Sequence, residues 1–237
     1  MSSILDVVNE YGYKTEIHAH TSPVSRCSQI SPEEMVRNYL SVGCNAVAIT
    51  NHLDPNWIEG DPQELAKKYL SDYYATREWG EKLGLSVVLG VEIRFTENHN
   101  DYLVYGVEPS DIERMIGYLD KGIVKFYREF KTERNLILQA HPFRKNMELA
   151  PLDSIDGIES FNCHPGHNSA IGVAARYARD NKLIVSGGTD YHHEGHHGIC
   201  VMRTKQAIKD SFDLADALRS RDYLFDISGS VVYPYAY

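Results

Sequence analysis

Cysteine is scarce and scattered in this chain. Its four copies in 237 residues, Cys27, Cys44, Cys163 and Cys200, form no CxxC pair. That argues against a disulfide framework and a cysteine-rich zinc module, and it points to a reducing compartment, the cytoplasm. Long apolar runs are missing too: none approaches the roughly 20 residues that span a bilayer, so no membrane association is expected. No basic residue precedes Lys14, so the N-terminal segment does not read as a secretory signal. Positive charge is in deficit, with 24 Lys and Arg against 33 Asp and Glu and a net charge of −9. This disfavours a surface built to coat long nucleic acid. Repeats, low-complexity tracts and Pro/Ser-rich linkers are absent, so residues 1–237 read as one domain, long enough to bury a core. Neither GxxxxGK(S/T) nor a GxGxxG after the first strand occurs, which takes weight from nucleotide-binding readings. A GxSxG nucleophile elbow is missing as well.

Histidine is what the chain has in quantity, with 11 copies. Neutral imidazole is the commonest metal ligand and the usual near-neutral acid–base group, so the placement of these residues matters. Short apolar runs at 13–17, 45–50, 85–93, 101–106, 136–140, 157–161, 183–187, 199–203 and 223–227 read as strands. Amphipathic stretches separate many of them. Ser31-Pro32-Glu33-Glu34 opens a helix with an N-cap serine, a proline at the first position and a reciprocal glutamate; Gly43 is its expected left-handed stop. Further helices are expected from Asp61 to Gly84, over about 168–181 and over about 211–219. The alternation predicts an α/β protein with a mostly parallel sheet, either open and doubly wound or closed as a barrel.

Polar groups recur at one kind of position. His18 and His20 follow the first strand, His52 the second and His141 the run 136–140; His164 and His167 follow 157–161, and His192 and His193 follow 183–187. Glu92 lies near the end of 85–93. In a parallel barrel all of these strand ends share one face. His18 and His20, at i and i+2, point to the same side of a strand, and Asp190 and His192 repeat that spacing. Imidazoles with carboxylates suit zinc, manganese or iron. Single histidines after strands are more often plain loop residues, and His99, His164, His167, His196 and His197 keep that reading.

Five motifs in order carry a family resemblance: Glu16-Ile17-His18-Ala19-His20-Thr21, Ile49-Thr50-Asn51-His52, Gly90-Val91-Glu92-Ile93, Ala140-His141-Pro142-Phe143 and Gly188-Thr189-Asp190-Tyr191-His192. Over Glu16 to about residue 200 the chain resembles the PHP superfamily, the polymerase and histidinol phosphatase domains. The resemblance implies a distorted seven-stranded βα barrel, TIM-barrel-like, with the metal site at the C-terminal ends of the strands. It also implies a phosphoesterase with two or three divalent ions. By the same resemblance His18, His20 and Asp190 ligate a first ion, Glu92 bridges two, His141 serves the second, and His52 and His192 serve a third. Two stretches depart from the family pattern. Ser25-Arg26-Cys27 stands where an aspartate or histidine is usual, with Cys27 a soft alternative ligand. Asp101 stands near a usual histidine and is included as a ligand candidate, with a strand-start cap as the other reading.

The implied reaction is hydrolysis of a small phosphate monoester by a metal-bound hydroxide held near Glu92 and Asp190. Arg144 and Arg26 are the candidates to bind the phosphate, and Arg94 is weaker because it could pair with Glu92. Water, His193, His196 or His197 would protonate the leaving group, with residues 191–198 forming a loop over the site. Competing readings are an amidohydrolase-like metal enzyme, a nuclease on single-stranded DNA, and a non-catalytic metal-binding module. Histidinol phosphate is one substrate suggested by the resemblance alone. The aromatic tail 231–237 is expected to pack on the barrel or on a partner subunit.

Overall fold

The local capping signals set the ends of the two helices that follow the first two strands. In the computed structural model, which describes residues 4–57 and 59–235, helix α1 spans Ile4–Glu10, strand β1 Tyr13–Ala19 and helix α2 Pro32–Ser41. Ser31 Oγ accepts from Glu34 N while Glu34 Oε2 accepts from Ser31 N, closing the expected capping box. Gly43 takes φ +74°, and Cys44 N bonds back to Tyr39 O, so the chain stops where the sequence places the stop. Helix α3, Pro62–Leu83, is capped by Asp61 Oδ1 on Gln63 N and Glu64 N and ends at Gly84 with φ +88°.

Eleven more strands and four more α-helices complete the described chain. They are β2 Ala46–Ile49, β3 His52–Leu53, β4 Ser86–Leu89, β5 Val91–Arg94, β6 Asp101–Tyr105, α4 Asp111–Ile116, α5 Gly122–Phe130 and β7 Leu136–Gln139. After these come β8 Gly157–Asn162, α6 Ile171–Asp180, β9 Ile184–Gly188, β10 Cys200–Thr204, α7 Ser211–Ser220, β11 Leu224–Ile227 and β12 Ser230–Val232. They form two six-stranded sheets, in the orders β12-β11-β10-β1-β2-β4 and β3-β5-β6-β7-β8-β9. The expectation of a mostly parallel sheet needs correction. Both sheets are mixed, because β10–β12 and β5–β7 run as antiparallel meanders.

The expected strand 85–93 is two strands in different sheets. Leu89 pairs with Ile49 in one sheet and Glu92 with His52 in the other. Gly90 lies between them, where a Cβ would sit 2.7 Å from Thr50 Cγ2 and 3.1 Å from the Tyr105 ring. The backbone ladder continues across the break through Gly90 N to Ile49 O and Glu92 N to Asn51 O. A second seam joins β1 to the segment after β9, where Ala19 and Tyr191 form a parallel bridge and His20 N bonds to Tyr191 O. Both seams lie beside the expected ligands, so the sheets meet where the site is built.

Ile, Val, Leu and aromatic side chains from both sheets and the helices fill one apolar cluster, with Tyr39, Tyr102, Tyr105 and Phe126 fully enclosed. The aromatic tail packs on its own chain: Tyr235 Oη accepts from Val185 N and meets Tyr223 Oη, and Arg221 lies over the Tyr235 ring. Ala236 and Tyr237 lie outside the described residues. No helix among the described residues is long and apolar enough to cross a membrane.

Two glycines separate a local cost from a functional one. Gly84→Ala places a side chain at φ +88° with nothing crowding it, so it should cost about 1 kcal/mol and lower Tm by about 2–4 °C while leaving metal binding intact. At Gly188 a Cβ would lie 2.6 Å from His18 Cβ and 2.9 Å from Glu16 Oε1. Gly188→Ala should therefore shift β1 and weaken metal binding by about tenfold or more. Thermal melts and metal titration of both variants check this; unchanged metal affinity in Gly188→Ala would contradict it.

Candidate metal centre

Strand β1 delivers His18 and His20 to the same side, as their spacing requires. Each ring is fixed from behind. His18 Nδ1 meets Glu159 Oε1 at 2.7 Å, and His20 Nδ1 meets Ser25 Oγ at 3.2 Å. The opposite nitrogens turn inward. His18 Nε2 lies 3.4 Å from both Glu92 Oε2 and Asp190 Oδ1, and His20 Nε2 lies 3.2 and 3.3 Å from the same two oxygens. All four residues are buried, yet His18 Nε2, His20 Nε2 and Glu92 Oε2 make no hydrogen bond. Unpaired buried polar atoms are costly unless something else satisfies them. Donors about 2.1 Å from a tetrahedral ion stand about 3.4 Å apart, close to the distances here. The residues therefore fit a divalent metal ion.

Two further groups share these residues. His52, Glu92 and Asp101 bring donor atoms within 4.8 Å of one another, and so do His20, His52 and His192. His52 Nδ1 is 3.1 Å from Glu92 Oε2, His141 Nε2 is 3.0 Å from Glu92 Oε1, and His192 Nδ1 is 3.4 Å from Asp190 Oδ1. The structure thus brings the eight expected ligands together around Glu92 and Asp190. Asp101 sits at the edge of the group, 3.9 Å from His141 Nε2. Arg94 grips both Asp101 oxygens at 2.8 and 2.7 Å and also faces Asp54. Arg94 thus pairs with Asp101 and Asp54, not with Glu92. Burial, followed by Glu92, pushes Asp101 up to about 6 against the pull of Arg94.

The two expected phosphate-binding arginines part company. Arg144 Nη2 lies 2.6 Å from Asp190 Oδ2 and 2.5 Å from Asn162 Oδ1, and its Nε donates to Ser169 Oγ. It lines a cleft of about 620 Å³ over the centre, together with Cys27, Arg94, Lys145, His164, His167 and His193. Arg26 is exposed, donates to Trp57 O at 2.9 Å, and lines a neighbouring cavity instead. Cys27 faces the cleft as an exposed residue; desolvation, then Glu92, push its thiol up to about 12. His193 lines the cleft, whereas His196 and His197 do not, and His197 lies edge-on to Tyr191.

Sequence reasoning missed Glu159 and Asn162. Glu159 Oε2 accepts from His141 N and Asn162 Nδ2, so one carboxylate fixes His18 and the His141 backbone together. Asn162 ties Glu159, Arg144 and Asp190 into one network. The available signal was two polar residues three apart inside the buried strand β8, Gly-Ile-Glu-Ser-Phe-Asn. The network also holds backbone strain: His141 has φ +29° and Asp190 φ +55°, uncommon for residues with a Cβ.

Sequence comparison gives this geometry a family. The model of the PHP domain matches residues 16–229. The chain belongs to the PHP domain family. Among curated proteins none matches it. Its fold resembles a two-domain protein from Bacteroides vulgatus containing a predicted PHP-like metal-dependent phosphoesterase, with 16% identity, a TM-score of 0.61, and coverage of 91% of this chain and 64% of that one. This PHP chain therefore spans less than two thirds of that protein. A proposed metal-dependent phosphoesterase from Bifidobacterium adolescentis matches at 16% identity and TM-score 0.52, over 86% and 95% of the two chains. An amidohydrolase from Chromobacterium violaceum with bound sulfate and no metal matches at 14% identity and TM-score 0.50, over 76% and 88%. Identities this low speak for the fold alone.

Charge in the PHP site is divided. Burial opposes a proton on His18, but Glu159, Asp190 and Glu92 outweigh it and raise its pKa well above the usual value. Burial drives His52 well below its usual value and His192 down to about 3, so those rings are neutral. A proton on His18 must leave before Nε2 can bind metal, so metal affinity should fall as pH falls. Calorimetric titration with Zn²⁺ at pH 7 in two buffers of different ionisation enthalpy should show proton release, reduced in Glu159→Gln. Identical heats in both buffers would contradict this.

Proposed function

We propose that this PHP domain is a hydrolase of small phosphate monoesters that works with two or three divalent ions, with zinc, manganese or iron matching its donors. The observation that carries the reading is the convergence of unpaired buried donors, His18 Nε2, His20 Nε2 and Glu92 Oε2, beneath an arginine-lined cleft. His18, His20, Glu92 and Asp190 would hold one ion. Glu92, His141 and Asp101 would hold a second, and His52 and His192 a third. We further infer that residues 1–237 act as one domain whose two sheets close as a distorted barrel around this centre. Such ions supply positive charge to phosphoryl oxygens and lower the pKa of water toward about 7.

The chain's own residues do the rest. Glu159 and Ser25 hold the His18 and His20 rings so that only Nε2 faces inward. Arg144 draws Asp190 Oδ2 away from the centre and leaves Oδ1 toward the imidazoles. Among the described residues its Nη1 makes no hydrogen bond, and this is the group proposed to take a phosphoryl oxygen. His193 or water protonates the leaving alcohol, since His196 and His197 do not line the cleft. The acidic chain disfavours long nucleic acid as substrate.

The metal-supplemented protein should release phosphate from an aryl phosphate, lose that activity with a chelator, and regain it with metal. His18→Ala should bring turnover to background and release metal. Hydrolysis of an amide or deamination of a base, with every phosphate ester untouched, would favour the amidohydrolase-like reading; nucleotides freed from single-stranded DNA faster than phosphate from small esters would favour a nuclease.

A further inference from the structure

A second cavity, of about 230 Å³, adjoins the cleft over the centre at His52. His52 is a wall of both cavities, and the adjacent residues Arg26 and Cys27 line one each. The His52 ring faces Glu92 with Nδ1 and meets Trp57 edge-on at 5.2 Å and 86°. The second cavity differs in kind from the catalytic cleft: Pro23, Val24, Trp57, Leu65 and Tyr69 give it apolar and aromatic walls. Its aromatic walls are held in place. Tyr69 Oη donates to Asn51 O at 2.6 Å, and Arg26 donates to Trp57 O with its guanidinium 5.9 Å from the indole centroid. Arg26, Lys68 and Glu59 line it too, and among the described residues none of the three makes a salt bridge.

We infer that this cavity is the subsite for the leaving alcohol and that it takes a flat aromatic ring, stacked on Trp57 beneath Arg26. This rests on the phosphoesterase reading and names its substrate class, an aryl or heteroaryl phosphate. Size fits: a dry cavity of about 150 Å³ accepts benzene, so about 230 Å³ leaves room for a substituent. Chemistry fits too. Pre-positioned aromatic rings favour a planar partner over a flexible alkyl chain, and a guanidinium that no carboxylate neutralises is drawn to a ring face.

Steady-state kinetics of the Mn²⁺-supplemented protein on phenyl phosphate and glycerol 3-phosphate test this. Wild type should prefer phenyl phosphate in kcat/KM, and Trp57→Ala should cut that preference by about tenfold, mainly through KM. Trp57→Phe, which keeps a ring, should restore most of it. Equal kcat/KM for the two esters in wild type, or the same preference in Trp57→Ala, would overturn the assignment. A binding measurement separates this from failure of the phosphoesterase reading. Trp79→Phe leaves Trp57 as the sole tryptophan of the two in the chain, and phenylphosphonate should then change its fluorescence saturably. No change would overturn the subsite even if both esters are hydrolysed, whereas absence of all phosphatase activity with a saturable change would sink the reaction and keep the aromatic pocket.

Discussion

Carboxylates and imidazoles are packed here where water cannot screen them, and the rest of the site follows from that. Glu92, Asp190, Glu159 and Asp101 are all buried, within reach of His18, His20 and His141. Burying each charge costs several kcal/mol unless it is paired. Most outer atoms are paired, His141 Nδ1 excepted, while on the inner side His18 Nε2, His20 Nε2 and Glu92 Oε2 make no hydrogen bond. Glu159 takes His18 Nδ1, Ser25 takes His20 Nδ1, and Arg144 and Asn162 take Asp190 Oδ2. The atoms left over face one another across a gap that a divalent cation fits. A charge of +2 there would satisfy several orphaned donors at once, which proton sharing does only in part.

The fold serves this arrangement by crossing from one sheet to the other at the site. β2 passes into β3 and β4 into β5 together, so His52 and Glu92 pair in register just past the crossing. The bridge from Ala19 to Tyr191 sets the first ligand pair against the last. Left-handed backbone at His141 and Asp190 is held by the same hydrogen bonds that orient their neighbours. Arg94 adds a fixed positive charge at the rim, where it clamps Asp101.

Much of this was legible in the sequence, and the reason is periodicity. Residues at i and i+2 on a strand share a side, so His18 with His20 and Asp190 with His192 announced a shared target. Caps at Ser31 and Asp61 and stops at Gly43 and Gly84 marked two helices closely. What escaped has no local signal. The run 85–93 reads as one strand because Gly90 marks a sheet crossing only through its tertiary neighbours, Thr50 and Tyr105. Helices α4 and α5 have no side-chain N-cap hydrogen bond, and β3 is only two residues long. Glu159 lies 141 residues from the ring it orients, a link that only folding reveals. Arg26 looked like a phosphate ligand because it follows the first histidine pair, but the loop turns its side chain to Trp57.

Anomalous diffraction from crystals grown with Mn²⁺ tests the central claim most directly, because it locates the ions without reference to activity. The account predicts a strong peak among His18 Nε2, His20 Nε2, Glu92 Oε2 and Asp190 Oδ1. An ordered site with no anomalous density there, at saturating Mn²⁺ and near-neutral pH, would contradict it.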